Sequence, residues 1–238
     1  MLADDTYISQ VAARHLHRAG EWDTALALLE ERPGEEVAKL RAQILVDRHF
    51  WRLDDPAPAQ AAVDKVDPAS AHAMFLKAQL AYVRVIFALA PRPDDEQGAE
   101  AGFRAAAHEE SLRGWAMFWL GVVADHLHAD PGAAKAHYDE SLDLCRQQGD
   151  LLLESYVVRH LGAHAIEHDR SPGEGEMLLR RSLYLRSVLG ARPQVAAAQA
   201  ALAGELPEGT EREMLGGIAT TTAEELGLTW LKGALADL

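Results

Sequence analysis

The sequence predicts an all-α fold, and alanine content, hydrophobic periodicity and an internal repeat lead to that prediction. Alanine supplies 43 of the 238 residues, and alanine favours helix over strand. Apolar residues recur at helical spacing, as in Phe75, Ala78 and Tyr82, and no segment alternates with period two. A match at an offset of 41 residues indicates a repeated helical hairpin.

Helix starts are marked along the chain by N-cap residues. At four places an Asp or Ser precedes a proline, so that a capping side chain stands before a proline in the first helical turn. They are Asp55-Pro56, Asp67-Pro68, Asp130-Pro131 and Ser171-Pro172. Capping boxes add Ser171/Glu174, Thr210/Glu213 and Thr222/Glu225. This punctuation predicts a series of short helices.

Charge and composition exclude several classes of protein. With 23 basic and 37 acidic residues the formal net charge is −14, which argues against a nucleic-acid partner. A single cysteine rules out an internal disulfide and fits a reducing compartment. The acidic N-terminus has no secretory-signal pattern, and the longest apolar stretch is interrupted by Arg84. We therefore expect a cytoplasmic protein with no membrane partner.

The internal repeat is clearest in the second half of the chain. Residues Ser141 to Asp150 match Ser182 to Ala191, and Leu120-Gly121 matches Leu161-Gly162 at the same offset. A period of this length accommodates a pair of helices in each repeat. The clearest single copy, residues 12–29, stands near the N-terminus.

These repeats resemble the tetratricopeptide repeat family, and the last two resemble the longer repeats of bacterial regulator sensor regions. The signature residues are Ala13, Gly20, Trp22 and Ala25 in the first unit, Gly121, Ala134 and Tyr138 in the fourth, and Gly162 and Ser182 in the fifth. The resemblance implies a right-handed superhelical solenoid of about five helix-turn-helix units. We place the units at 4–32, 35–67, 69–108, 111–149 and 151–190. Residues 1–190 then form the repeat domain, and residues 191–238 form a C-terminal helical cap.

The resemblance also implies a function, because first helices of such repeats line a concave groove that binds a peptide or a partner-protein segment. The groove positions stand two and three residues before the glycine of the Leu-Gly pair, one after it, and four to five after it. We predict a peptide site of Arg14, His17, Lys39, Gln43, Phe75, Gln79, Tyr82, Trp115, Phe118, Trp119, Tyr156, Arg159 and His160. Arg14, Lys39 and Arg159 would meet carboxylate or backbone oxygens. The alternative for the aromatic residues is that they fill the core between helices.

A second function remains open, because His160, His164 and His168 lie four residues apart on one predicted helix. Imidazoles at this spacing can share a metal ion, and His164 to His168 spells H-x-x-E-H, the order found in inverted zinc peptidases. The alternative to peptide binding is therefore a metal-binding or metal-dependent hydrolytic protein. His126 and His128 are the plausible further ligands.

Chemistry based on a nucleophile is not indicated. The sequence contains no G-x-S-x-G elbow and no glycine-rich phosphate loop, and Cys145 fits a free, buried thiol. We therefore expect a binding protein that is not an enzyme, with no cofactor. A structural adaptor that forms homo-oligomers is the third possibility.

Overall fold

The computed structural model describes residues 2–236, with side chains from Asp5 onward, and every regular element in that range is an α-helix. The helices are α1 (Leu2–Arg18), α2 (Trp22–Leu28), α3 (Glu35–Arg52), α4 (Ala57–Val63), α5 (Ala71–Ile86), α6 (Asp95–Ala106), α7 (Glu110–His126), α8 (Pro131–Gln148), α9 (Leu151–Glu167), α10 (Pro172–Val188), α11 (Arg192–Glu205), α12 (Thr210–Leu226) and α13 (Thr229–Leu235). The predicted all-α class is confirmed for this range. Consecutive helices pack in pairs, which fits a helical-repeat solenoid. None of these helices has the length and hydropathy that crossing a membrane requires.

The helices are grouped in two compact units. Unit 1 contains residues 1–68 and 190–238, and unit 2 contains residues 69–189. This grouping reflects packing, whereas the predicted division into 1–190 and 191–238 concerns which residues belong to the repeats. That division stays a prediction.

In unit 1, the C-terminal helices pack against the N-terminal ones. The side chains of Trp22, Leu29, Ile44 and Leu228 are fully buried in its core. Trp51 of α3 stacks on Trp230 of α13, with the ring centroids 5.3 Å apart. The residues predicted to form a cap therefore share a core with the first helices.

In unit 2, three helical hairpins follow one another: α5 with α6, α7 with α8, and α9 with α10. The first helices α5, α7 and α9 are neighbours in that order. Each hairpin corresponds to one of the predicted repeats 69–108, 111–149 and 151–190.

Two hydrogen bonds reproduce the 41-residue offset in three dimensions. Ser141 Oγ of α8 donates to the carbonyl of Gly114 in α7 over 2.8 Å. Ser182 Oγ of α10 donates to the carbonyl of Ser155 in α9 over 2.7 Å. Both partners of the second bond lie 41 residues after those of the first. The buried serines of α8 and α10 therefore anchor these helices to α7 and α9 in the same way.

Gly121 permits the close approach of α7 and α8. A Cβ atom at this position would lie 2.5 Å from Cε1 of Tyr138 and 3.2 Å from the carbonyl oxygen of Ala134. At the equivalent Gly162, a Cβ atom would lie 3.1 Å from the carbonyl oxygen of Gly175. The glycine of each Leu-Gly pair thus lies at a close contact between the two helices of its hairpin.

Candidate functional site

The strongest candidate site in unit 2 is a cavity of about 260 Å³ between the C-terminal halves of α7 and α9. It is lined by Asp125, His126, Arg159, His160, Ala163, His164, Glu167 and His168. We call this space the histidine cavity. Six of its eight lining residues are histidines or acids, so it concentrates groups that bind metal ions or exchange protons.

Two phenols contact two of the four imidazoles that line the cavity. Tyr82 Oη lies 2.7 Å from Nδ1 of His126, which joins α5 to the end of α7. Tyr138 Oη lies 3.2 Å from Nδ1 of His160 and 3.4 Å from a carboxylate oxygen of Asp125. Nδ1 of each ring therefore faces a phenol, whereas Nε2 of His126 lies 3.8 Å from a carboxylate oxygen of Asp125.

The surroundings hold these groups in defined protonation states. Burial lowers the pKa of His126, and burial together with the Arg159 charge lowers the pKa of His160 well below its usual range. Burial raises the pKa of the Tyr82 and Tyr138 phenols. Burial therefore favours the uncharged form of both imidazoles and the protonated form of both phenols.

Arg159 is the cationic group of the histidine cavity. Burial lowers the pKa of Arg159, but a guanidinium remains charged at neutral pH because its ordinary pKa is above 12. Its Nη1 lies 3.5 Å from Nε2 of His160. Across the described part of the chain, Arg159 forms no ion pair with a carboxylate.

The predicted peptide-site residues of unit 1 lie on α1 and α3. His17 Nε2 is 2.7 Å from an oxygen of Asp47, and Gln43 Nε2 donates to the other oxygen of Asp47 over 2.9 Å. Lys39 pairs with Glu35 and Glu36 on its own helix, whereas Arg14 is exposed. The structure therefore brings His17 and Gln43 together, and Asp47, which the sequence did not single out, joins them.

The predicted residues of unit 2 form one connected aromatic array across α5, α7 and α9. Ring contacts run from Tyr82 to Trp119 at 5.3 Å, from Trp119 to Phe118 at 5.6 Å, and from Phe118 to Tyr156 at 5.6 Å. Trp115 packs on Tyr156 at 5.4 Å, and Phe118 packs on His160 at 5.2 Å. The array therefore reaches the histidine cavity.

Burial separates the members of this array. Phe75, Gln79, Tyr82, Phe118 and Trp119 are buried, so these side chains belong to the core of unit 2. Trp115, Tyr156, Arg159 and His160 are partly buried, with some surface left for contact. The role of any of them in binding a ligand stays a prediction.

The three histidines predicted to lie on one helix do not converge on one point: His160 and His164 belong to α9, and His168 follows its last residue. His164 Nε2 lies 3.2 Å from the carbonyl of Pro131, and Nδ1 lies 3.5 Å from a carboxylate oxygen of Asp169, so both nitrogens face protein atoms. The ring of His168 lies 4.8 Å from that of His164. His164 thus ties α9 to the start of α8.

A different set of ligand-type side chains does converge. Within residues 5–236, the one group of three His, Cys, Asp or Glu residues whose ligand atoms all lie within 4.8 Å of one another is Asp125, His126 and His160. The sequence indicated His126 as a further ligand but missed Asp125. The groove positions given above would have included Asp125, because Asp125 and His126 stand four and five residues after Gly121 of a Leu-Gly pair.

No protein-family model matches the chain, and no curated protein matches its sequence. The likeness to tetratricopeptide repeats accordingly depends on the residues quoted above.

Cys145 is a free thiol buried in α8, as the sequence predicted. Burial, followed by the charges of Glu154 and Asp150, raises the pKa of Cys145 to about 11. At pH 8 about one thiol in a thousand is then ionised, and the thiolate is the form that reacts. We expect iodoacetamide to label the native protein far more slowly than the urea-unfolded protein. Mass spectrometry measures the labelling rates, and equal rates in the native and unfolded protein would contradict a buried Cys145 thiol.

Proposed function

We propose that the protein is a helical-repeat scaffold that binds a peptide or an extended segment of a partner protein. In this proposal five tetratricopeptide-like hairpins form a right-handed superhelix, and the first helices line its concave groove. The function is binding and not catalysis, and it requires no cofactor.

The observation that carries the proposal is the position of Arg159. Its guanidinium forms no carboxylate ion pair within the described residues, and it stands where the aromatic array meets the histidine cavity. Because a buried or half-buried cation is costly to leave unpaired, such an arginine is typical of a site that receives an anion. Charged hydrogen bonds of this kind are among the stronger contacts in recognition.

The surrounding groups indicate what kind of ligand fits. Trp115 and Tyr156 provide partly exposed rings in the aromatic array, which reaches His160 through Phe118. Rings of this type are frequent anchors in interfaces. Asp125 and Glu167 can accept N–H groups, while Arg159 donates to oxygen. A peptide with a carboxylate next to an apolar side chain satisfies all of these groups.

The test is selection from a library of random dodecapeptides, followed by titration of the enriched peptides into the wild-type protein. We expect enriched peptides to carry an Asp, a Glu or a free C-terminal carboxylate beside an apolar residue. Arg159→Gln should weaken their binding at least tenfold. The loss should shrink between about 0.05 and 0.5 M salt, because salt screens the charge contribution.

Arg113→Gln is the matched control. Arg113 is an exposed arginine of α7 that pairs with Glu140 over 2.7 Å, outside the histidine cavity. We expect this variant to bind the selected peptides as the wild type does. If no peptide is enriched, or if folded Arg159→Gln binds as tightly as Arg113→Gln, the peptide-binding proposal is wrong. Circular dichroism checks that both variants are folded.

A further inference from the structure

We propose that Asp125, His126 and His160 form a binding site for one divalent transition-metal ion of the zinc class. The site goes beyond the proposed peptide-binding function and does not depend on it. It also differs from the H-x-x-E-H pair of α9, because His164 and His168 are not among its ligands.

The ligand atoms of Asp125, His126 and His160 converge on one small region. The three ligand atoms come from the last turn of α7 and the middle of α9, and all lie within 4.8 Å of one another. Two imidazole nitrogens and a carboxylate oxygen are a ligand set that suits zinc and its neighbours, which bind nitrogen and oxygen at about 2.0–2.2 Å. Atoms bound to one ion at that distance lie closer together than this, so the three side chains must move inward when an ion binds.

A phenol oxygen lies beside Nδ1 of each of the two imidazoles. A metal-bound histidine usually donates its other N–H to a fixed acceptor, which sets the tautomer and the orientation of the ring. Tyr82 Oη lies 2.7 Å from His126 Nδ1, and Tyr138 Oη lies 3.2 Å from His160 Nδ1. Each phenol oxygen can accept the Nδ1 proton and leave the Nε2 lone pair for an ion.

Two sources of negative charge lie around the cavity. Helices α7 and α9 end at His126 and Glu167, and the C-terminal turn of a helix carries partial negative charge that favours a cation. The carboxylates of Asp125 and Glu167 line the same cavity. Both features favour a positive ion there.

Arg159 opposes the ion and also sharpens the test. Its Nη1 donates towards Nε2 of His160 at 3.5 Å, so a guanidinium now stands where the ion would bind. A bound dication must displace that group from His160. Removal of the Arg159 charge should therefore tighten metal binding, whereas it should weaken peptide binding.

A bound metal ion would cross-link two neighbouring hairpins. The ion would join α7 to α9 through His126 and His160, so metal binding should raise the melting temperature of the full-length chain.

The experiment uses the full-length protein freed of metal by a chelator. It is titrated with Zn²⁺ by calorimetry and with Co²⁺ by visible absorption, which reports nitrogen and oxygen ligands directly. We expect one saturable ion per chain and a Zn²⁺-dependent rise in melting temperature. Binding should weaken at least tenfold in His126→Gln and in Asp125→Asn. It should tighten in Arg159→Gln.

His128→Gln and His168→Gln are the matched controls. His128 does not line the cavity and faces Glu96 at 3.2 Å. His168 lines the cavity but is not one of the three converging ligands. Both variants should bind Zn²⁺ as the wild type does. The proposal is overturned if no saturable binding occurs, or if folded His126→Gln binds as tightly as His128→Gln. It is equally overturned if His168→Gln loses the ion while His126→Gln keeps it, because the ion then belongs to the histidines of α9.

Discussion

Trp119→Ala is expected to reduce the free energy of unfolding by about 3–5 kcal/mol. The Trp119 side chain is 8% exposed and packs on three rings. Its ring stacks on Phe103 at 5.5 Å and meets Tyr82 and Phe118 edge-on at 5.3 and 5.6 Å. Truncation removes all of these contacts and leaves a cavity among side chains that cannot collapse completely. Urea unfolding followed by circular dichroism measures the loss.

Tyr184→Ala is the control for this prediction. Tyr184 lies on α10 with 68% of its surface exposed, so its truncation should change the free energy of unfolding by less than about 0.5 kcal/mol. A Trp119 ring that was displayed for a ligand would behave differently. Trp119→Ala would then have nearly the same free energy of unfolding as Tyr184→Ala but would lose peptide binding. That result would show that the Trp119 ring contacts the ligand.

The sequence predicted the helical class of this chain but only some of its helix starts. Asp130 caps α8 as predicted, whereas Ser70 and not Asp67 caps α5. Thr222, which was predicted to start a helix, lies inside α12.

Alanine content and N-cap residues predict helices, and the 41-residue offset predicts which serines and glycines are equivalent. The bonds from Ser141 to Gly114 and from Ser182 to Ser155 follow that offset, because a repeated packing problem is solved by the same residue type. The equivalence that the 41-residue offset predicts therefore holds for these contacts in the α7–α8 and α9–α10 hairpins.

Contacts between repeats were harder to predict. Helical spacing places His160, His164 and His168 on one face, but it does not state which groups of the neighbouring helices meet each of them. His160 meets His126 and Tyr138, whereas His164 meets the Pro131 carbonyl. The sequence alone thus grouped the histidines by helix, while the fold groups them by neighbour.

Burial of the aromatic residues was ambiguous for a related reason. Helical register gives the direction of a side chain, but its exposure depends on the size of the facing residues. Phe103 of α6 fills the space beside both Phe75 and Trp119, with the centroids 5.6 and 5.5 Å away. No periodicity in α7 indicates that contact, because Phe103 belongs to the preceding hairpin.

A last expected result concerns Gly121, where the free energy of unfolding should fall by about 1–3 kcal/mol in Gly121→Ala. Alanine at an open helical position would instead stabilise the protein by about 1 kcal/mol. Here the new Cβ would lie 2.5 and 2.6 Å from ring atoms of Tyr138, which is fully buried and cannot move aside freely. Displacement of Tyr138 would also disturb its contacts with Asp125 and His160.

Gly98→Ala provides the opposite sign in a neighbouring hairpin. Gly98 lies inside α6, and apart from its chain neighbours and the adjoining backbone of its own helix no heavy atom stands within 4 Å of the position that its Cβ would take. We expect this variant to be more stable than the wild type by about 0.5–1 kcal/mol, since only the helix propensity changes. Thermal melts of the two variants side by side test the packing directly. If Gly121→Ala were as stable as Gly98→Ala, then α7 and α8 would not approach each other at Gly121 as closely as described.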